Sequence, residues 1–470
     1  MTDLLNFGRM LASHARLAPT RIGARDLDRD MTFAVWNARA CRLANALLGL
    51  GLAKGDRVAV LAYNCLEWVE IYAATAKAGL VAVPINFRLV GREVAFIVEN
   101  CEAAAIIVQD ELAGVVEEAR PQMTLRADRY IHFGRHAAPA GYRDYEDLLG
   151  RASDGETDQL VLEEDPWTLM YTSGTTGNPK GAIRSHRGGA LLSLVTEIEL
   201  GIHRNDGALL VMPMCHINSL YFFGAFAYAE ATINICSRQT FDPEHCVRTL
   251  AESGASFTSL VPTHYVLMLG LFEAVRARYR LDSITKLMIS SAPARQDTKR
   301  AVMEMFPNSG LFELYGATET GWVTMLHPHE QFSKLGSVGR ECVGSGPIRL
   351  LDEDGYIQPV DRKTNMIISG GENVYPSEVG AMIGAHPLVK DVAVIGVPDA
   401  KWCERVHAVV VPVDGAALTE ASLTEWAKSR VAGYKRPRSF DFVRHEDIPR
   451  NATGKVLYRE LKARLVRERA

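Results

Sequence analysis

The chain has 470 residues, 47% of them hydrophobic and 23% charged, a balance that excludes a disordered or coiled-coil protein and leaves length for roughly two to four domains. Its 52 Lys+Arg against 56 Asp+Glu give a net charge of −4, which argues against bulk attraction to nucleic acid or an anionic membrane. The start, MTDLLNFGRMLASHARLAP, carries Asp3 and no continuous apolar run, so no signal peptide is expected and a cytoplasmic location is. The eight cysteines are never closer than ten residues, which excludes a CxxC metal or redox motif and agrees with reduced thiols.

In chain order, RVAVLA at 57–62 predicts a strand, 65–78 a helix with apolar residues at helical spacing, and 80–84 the next strand. Such a unit places its strands parallel in one sheet through a right-handed crossover. Further strands are predicted at 104–108, 168–171, 208–212, 256–261, 286–290 and 310–315, mostly continuously apolar, as buried parallel strands are. Several end in Ser, Thr, Gly or Pro, and in open α/β sheets ligands gather beyond the carboxyl ends of strands. The apolar run 220–236 is short for a bilayer and broken by Glu230 and Asn234, so it predicts a buried helix or strand. From Asp361 the texture changes: strands are predicted at 389–397 and 407–413, then a basic stretch, GYKRPR, and an amphipathic helix from 457. The fold class expected is α/β, a large N-terminal domain (1–361) of parallel-rich sheets flanked by helices, followed by a small α+β C-terminal domain (362–470).

The strongest chemical signal is YTSGTTGNPKG at 171–181, with three glycines, four Ser/Thr hydroxyls and one lysine. Glycines let backbone N–H groups approach a polyanion, hydroxyls donate to phosphate oxygens, and Lys180 adds charge. A Walker A loop cannot be laid on it. The stretch resembles the phosphate-binding loop of the adenylate-forming superfamily, which includes acyl-CoA synthetases, peptide-synthetase adenylation domains and luciferases. Three further stretches agree in the family's order: YGATET at 315–320, SGGENVYP at 369–376 and PRNATGK at 449–455. Weaker matches are MPMCH at 212–216, SSAP at 290–293 and GSVGR at 336–340.

The resemblance implies an ATP-dependent acid–CoA ligase that makes an acyl-CoA thioester through an acyl-adenylate, releasing AMP and pyrophosphate. It implies that Thr172, Ser173, Gly174, Thr175, Thr176, Gly177 and Lys180 hold the ATP phosphates, that Tyr315 stacks on adenine beside Gly316, and that Arg362 reaches the ribose. Thr318 would meet the α-phosphate, Glu319 would help hold magnesium, and Lys455 would contact the reacting carboxylate and phosphate. His216, Ala292, Pro293 and Ala317 would line the acyl pocket, Gly370 and Gly371 the pantetheine tunnel of coenzyme A, and Thr364 would be the hinge of a mobile C-terminal domain. The residue types suit the chemistry, because attack of a carboxylate on a phosphate needs cations and donors aimed at the developing charge. No cation falls among the pocket positions, which favours a neutral aliphatic or aromatic acid, such as a fatty acid.

The chain also departs from the pattern. Between GSVGR and SGGENVYP the family carries several tens more residues, including a TGD motif whose aspartate holds the ribose diol. Here Gly355 and Tyr356 stand adjacent and no TGD occurs; in the functional enzyme the two are not expected to be joined directly, and the alternative is a true internal deletion that would weaken nucleotide binding. Thr364 stands where Asp or Lys is usual at the hinge, and Cys403 where Gly is. Two other readings therefore stay open, an adenylation enzyme that loads a carrier protein and a nucleotide- or acyl-binding protein impaired by the missing block. The partners expected are a small carboxylic acid, ATP and CoA, without nucleic acid or a membrane span, and a homodimer is compatible with the sequence.

Overall fold

Helix starts in this chain are set by side chains that satisfy the first free N–H groups. Asn6 accepts from the Arg9 amide at 3.2 Å, Thr32 from Val35 at 3.3 Å, Ser185 from Gly188 at 3.1 Å and Asp242 from His245 at 3.0 Å. A computed structural model describes residues 5–26, 28–172, 179–291, 294, 296–334, 337–345, 366–449 and 458–468. The chain divides into two compact units. One comprises Met1–Phe87, Ala95–Tyr171 and Gly181–Gln358, the other Arg88–Val94, Thr172–Lys180 and Pro359–Ala470.

The first unit is built on two sheets. In the seven-stranded sheet, Arg57–Leu61 and Val81–Ile85 lie side by side and parallel, as the strand–helix–strand pattern predicts. In the nine-stranded sheet, Gly207–Leu210, Phe257–Leu260, Lys286–Ser290 and Gly310–Ala317 run parallel in that order, and Gly321–Leu326 closes back antiparallel. The apolar run 220–236 resolves into both alternatives: the helix Ile217–Tyr228, then the strand Thr232–Ile235. All residues of that helix are buried, as a helix apolar on every face must be. It joins one core with the helices Phe33–Gly49 and Glu67–Ala78, and that core reaches Val58, Val60 and Ala82 of one sheet and Ala208 and Ile233 of the other. Phe223 lies 5.1 Å from Phe7, 6.0 Å from Trp36 and 5.6 Å from Tyr72 between ring centroids, distances at which aromatic pairs add to simple burial.

The second unit centres on an antiparallel pair, Val389–Asp399 with Cys403–Pro412. Their side chains alternate between two apolar clusters, a direct use of the two-residue period of a strand. Val394, Val406 and Val410 pack with Val379, Ile383 and Leu423, whereas Ala393, Ile395 and Val409 pack with Ile448, Leu461 and Leu465.

Two predictions come from this architecture. Cys403 closes the loop after Asp399 with φ +67°, a conformation that costs a non-glycine residue about 1–2 kcal/mol. Cys403→Gly should stabilise the chain by about 1 kcal/mol in chemical denaturation, while Cys403→Ala, which keeps the Cβ, should not. The second concerns Glu197 on the helix His186–Leu200. Burial alone pushes its pKa up to about 7, and its Oε1 is buried without a hydrogen-bond partner among the described residues. The folded chain thus holds this proton more tightly than the unfolded chain. The resulting stability is complete below the usual carboxylate range and is lost as pH rises through about 7. The melting midpoint of the wild type should fall relative to Glu197→Gln between about pH 5 and about pH 8, and parallel pH profiles would contradict the assignment.

Candidate active site

Three loops at the ends of sheet strands carry the residues singled out in the sequence. The first leaves Pro166–Thr172 and returns through Lys180–Ser185. Thr172 is half-buried and Lys180 exposed. Ser173, Gly174, Thr175, Thr176 and Gly177 lie outside the described residues.

The second loop is the tip of an antiparallel hairpin. Ala317 pairs with Gly321 and Gly316 with Trp322, which leaves Thr318, Glu319 and Thr320 as the turn. Gly321 closes it at φ +78°, the left-handed conformation that such loops need and that glycine adopts without penalty. A Cβ on Gly316 would stand 2.4 Å from the Gly321 carbonyl oxygen, so the hairpin is close-packed across its end. Tyr315 is 46% exposed, an open ring face at the strand's end, and Ala317 and Glu319 are exposed beside it with Thr318 half-buried. The tip is held from below: Arg184 Nη2 donates to the Thr318 carbonyl at 2.9 Å and to the Glu319 carbonyl at 3.4 Å. Among the described residues no three His, Cys, Asp or Glu side chains gather as metal donors. A single exposed carboxylate at Glu319 nevertheless fits magnesium delivered with ATP, since that ion takes one or two carboxylates and fills its remaining positions with phosphate oxygens and water.

The third loop, MPMCH, is the most constrained. Asn64 accepts from the Met214 amide at 2.7 Å and donates to the Met212 carbonyl at 3.0 Å. The Tyr72 hydroxyl donates to the Met214 carbonyl at 2.8 Å. His216 then caps the buried helix, its Nδ1 accepting from the Asn218 amide at 3.3 Å. Asn218 in turn donates to Ser290 Oγ at 2.8 Å, which brings the MPMCH and SSAP stretches together. Ser291 follows at φ +68°; Ala292 and Pro293 lie outside the described residues.

In the second unit, Gly370 and Gly371 form the two-residue turn between Ile367–Ser369 and Glu372–Val374, at φ +60° and +83°. Both angles positive is the geometry of the tight hairpin turns that favour glycine. A Cβ on Gly370 would also stand 3.0 Å from the Trp402 ring, so any side chain at this turn strains the hairpin before it could obstruct a ligand. Arg362, Thr364, Lys455 and the Gly355–Tyr356 junction lie outside the described residues.

Sequence reasoning did not single out Arg184, Asn218 or Asn64. Arg184 had one legible signal, an arginine beside an isoleucine on a short strand. The fold turns Ile183 outward, 68% exposed, and draws the arginine inward, the reverse of their polarities.

The fold and these loops define an adenylate-forming enzyme. The family model of the AMP-binding enzyme matches residues 11–376 and that of the AMP-binding enzyme C-terminal domain residues 378–455. The chain belongs to the AMP-binding enzyme family, and within it stands with the acid–CoA ligases. Long-chain-fatty-acid–CoA ligase FadD13 of Mycobacterium tuberculosis is 30% identical over 96% of this chain and 97% of its own. The 2-succinylbenzoate–CoA ligase of Geobacillus kaustophilus is 30% identical over 98% of each. The o-succinylbenzoate CoA synthetase (MenE) of Bacillus subtilis, solved as a double mutant bound to the product analogue OSB-NCoA, superposes with a TM-score of 0.84 at 26% identity, covering 97% of this chain and 98% of that one. The FadD13 alignment runs over 514 positions against 470 residues here, so at least 44 of its positions have no counterpart in this chain. That shortfall is of the order of the several tens of residues that the family resemblance implies are missing between Gly355 and Tyr356.

Because the obstacle to a Cβ on Gly316 is a backbone oxygen, Gly316→Ala must spread the hairpin end. Acid-dependent ATP–pyrophosphate exchange should drop at least about tenfold. Unchanged exchange would mean that the tip is not held in a fixed geometry.

Proposed function

We propose that the chain activates a neutral aliphatic or aromatic carboxylic acid in two half-reactions. The acid attacks the α-phosphate of MgATP, which gives the acyl-adenylate and pyrophosphate, and the thiolate of coenzyme A then displaces AMP. Thr172–Lys180, the Tyr315–Glu319 hairpin and Lys455 serve the first step, with Glu319 on magnesium and Arg362 at the ribose. His216, Ala292, Pro293 and Ala317 shape the acid pocket. On this reading residues 1–361 bind ATP and acid, and residues 362–470 pivot at Thr364. The pivot exchanges Lys455 for the Gly370–Gly371 turn when coenzyme A enters. A reactive mixed anhydride made in one closed state and consumed in another is kept from water.

The observation that carries the proposal is the hairpin. Its glycines and Arg184 present Thr318 and Glu319 at one rigid tip beside an open tyrosine face, an arrangement suited to a nucleotide phosphate with its metal ion. The relatives named above support the acid–CoA ligase class, and they act on a long-chain fatty acid and on 2-succinylbenzoate, so the particular acid is left to experiment.

A panel of fatty, aryl and dicarboxylic acids assayed for AMP and pyrophosphate release tests this directly. AMP formation that requires both acid and coenzyme A is expected, with neutral acids preferred. ATP binding without turnover on any acid would instead support the impaired binding protein that the missing block suggests. With an active acid in hand, Lys455→Ala should slow adenylation by roughly 10²–10⁴-fold yet spare thioester formation from pre-made acyl-adenylate. Equal loss in both half-reactions would overturn the two-state account.

A further inference from the structure

Arg184 sits four residues beyond Lys180, on the strand that leaves the glycine- and hydroxyl-rich loop. Its Nη2 meets three acceptors: Tyr221 Oη at 2.7 Å, the Thr318 carbonyl at 2.9 Å and the Glu319 carbonyl at 3.4 Å. Tyr221 is itself immobilised. It is buried in the helix Ile217–Tyr228 and meets Trp322 edge-on, with ring centroids 4.7 Å apart. The Trp322 indole N–H donates to Thr196 Oγ1 at 2.7 Å. The guanidinium therefore ties the exposed turn to a fixed point in the core. Thr318 and Glu319 lie beyond the last ladder pair of the hairpin, so their carbonyls gain from Arg184 a restraint that the sheet does not supply. Hydrogen bonds from a charged donor are roughly twice as strong as neutral ones, and here one guanidinium nitrogen shares its two hydrogens among the three acceptors, tying both turn carbonyls and the Tyr221 hydroxyl to a single point.

We propose that Arg184 is a positioning residue for adenylation: it sets the turn so that the Thr318 hydroxyl and the Glu319 carboxylate meet the α-phosphate and its magnesium in one geometry. The inference rests on the functional reading above, because it assigns a task to the same turn. Arg184 touches neither substrate nor metal in this scheme, and it has no part in the thioester half-reaction.

The test compares Arg184→Met and Arg184→Lys with wild type in acid-dependent ATP–pyrophosphate exchange, in thioester formation from pre-made acyl-adenylate, and in thermal melting. Arg184→Met keeps the length of the side chain and loses the donors. Its exchange kcat should fall about 10- to 100-fold, the scale of a displacement of about 1 Å. The magnesium concentration for half-maximal exchange should rise, the KM for the acid should hold, and thioester formation should stay within about twofold. Arg184→Lys, which restores a point charge without the fork, should recover part of the exchange rate, and if the methionine variant does not fold, the same selective loss at smaller size is expected of it. Exchange unchanged in a folded variant, or both half-reactions falling together, overturns the proposal while leaving the ligase reading intact. Absence of acid-dependent exchange in the wild type overturns both.

Discussion

One constraint organises the large unit: the helix Ile217–Tyr228 has no face that can meet water. Phe222 and Phe226 pack on Phe257 on one side of it, Phe223 on Phe7, Trp36 and Tyr72 on another, and Tyr221 on Trp322, and every one is buried. Such a helix is stable only when covered all round, and here a single apolar cluster draws its cover from strands of both sheets. The loop that leads into it inherits the rigidity. With the helix immobile, His216 at its cap and Asn218 in its first turn are fixed. Asn64 and Tyr72 then complete the backbone bonding of residues 212–214. A segment that reads as plain hydrophobic filler thus determines where one wall of the candidate site stands.

Two hairpins show how local backbone chemistry was solved differently at places with different demands. The loops after Ala317 and after Asp399 each close on a residue of left-handed backbone. At the site the closing residue is Gly321, which takes φ +78° without strain. In the second unit it is Cys403, which does not, although Asp399 steadies that loop by accepting from the Lys401 and Trp402 amides at 2.9 and 3.0 Å. A side-chain turn compensates in part for the wrong backbone residue. At the candidate site glycine needs no such compensation, and the turn side chains Thr318 and Glu319 serve ligand chemistry on our reading.

Much of the fold was legible because it rests on patterns of short range. The strands at 57–62, 286–290 and 310–315 and the helix ending at Ala78 carry their own periodicity and punctuation, and they stand within a few residues of where the sequence places them. The strange backbone at Cys403 was legible too, as a side chain where glycine is usual. The division of the strands between two sheets was less so, because periodicity does not say which strands pair. Arg184 and Asn218 were illegible for a related reason. Their partners lie 134 and 72 positions away, and a hydrogen bond across such a distance leaves no mark in the local sequence.

The FadD13 alignment contains at least 44 positions without a counterpart in this chain, and the chain has no TGD motif to offer a carboxylate to a ribose. Two hydrogen bonds to a charged acceptor would be worth roughly 3–6 kcal/mol together, so a nucleotide held without them depends on its two ends, the phosphates and the adenine. On our reading the phosphates are held by Thr172–Lys180 together with Thr318 and Glu319, and the adenine by Tyr315, so the Tyr315–Glu319 hairpin has a part in both grips. A ligand held at its ends has its middle positioned only as well as the ends are, and an error of about 1 Å in a reacting group costs on the order of 100-fold in rate. The stiffness of one turn, supplied by Gly316, Gly321 and the Arg184 guanidinium, is therefore on our reading a property on which adenylation directly depends.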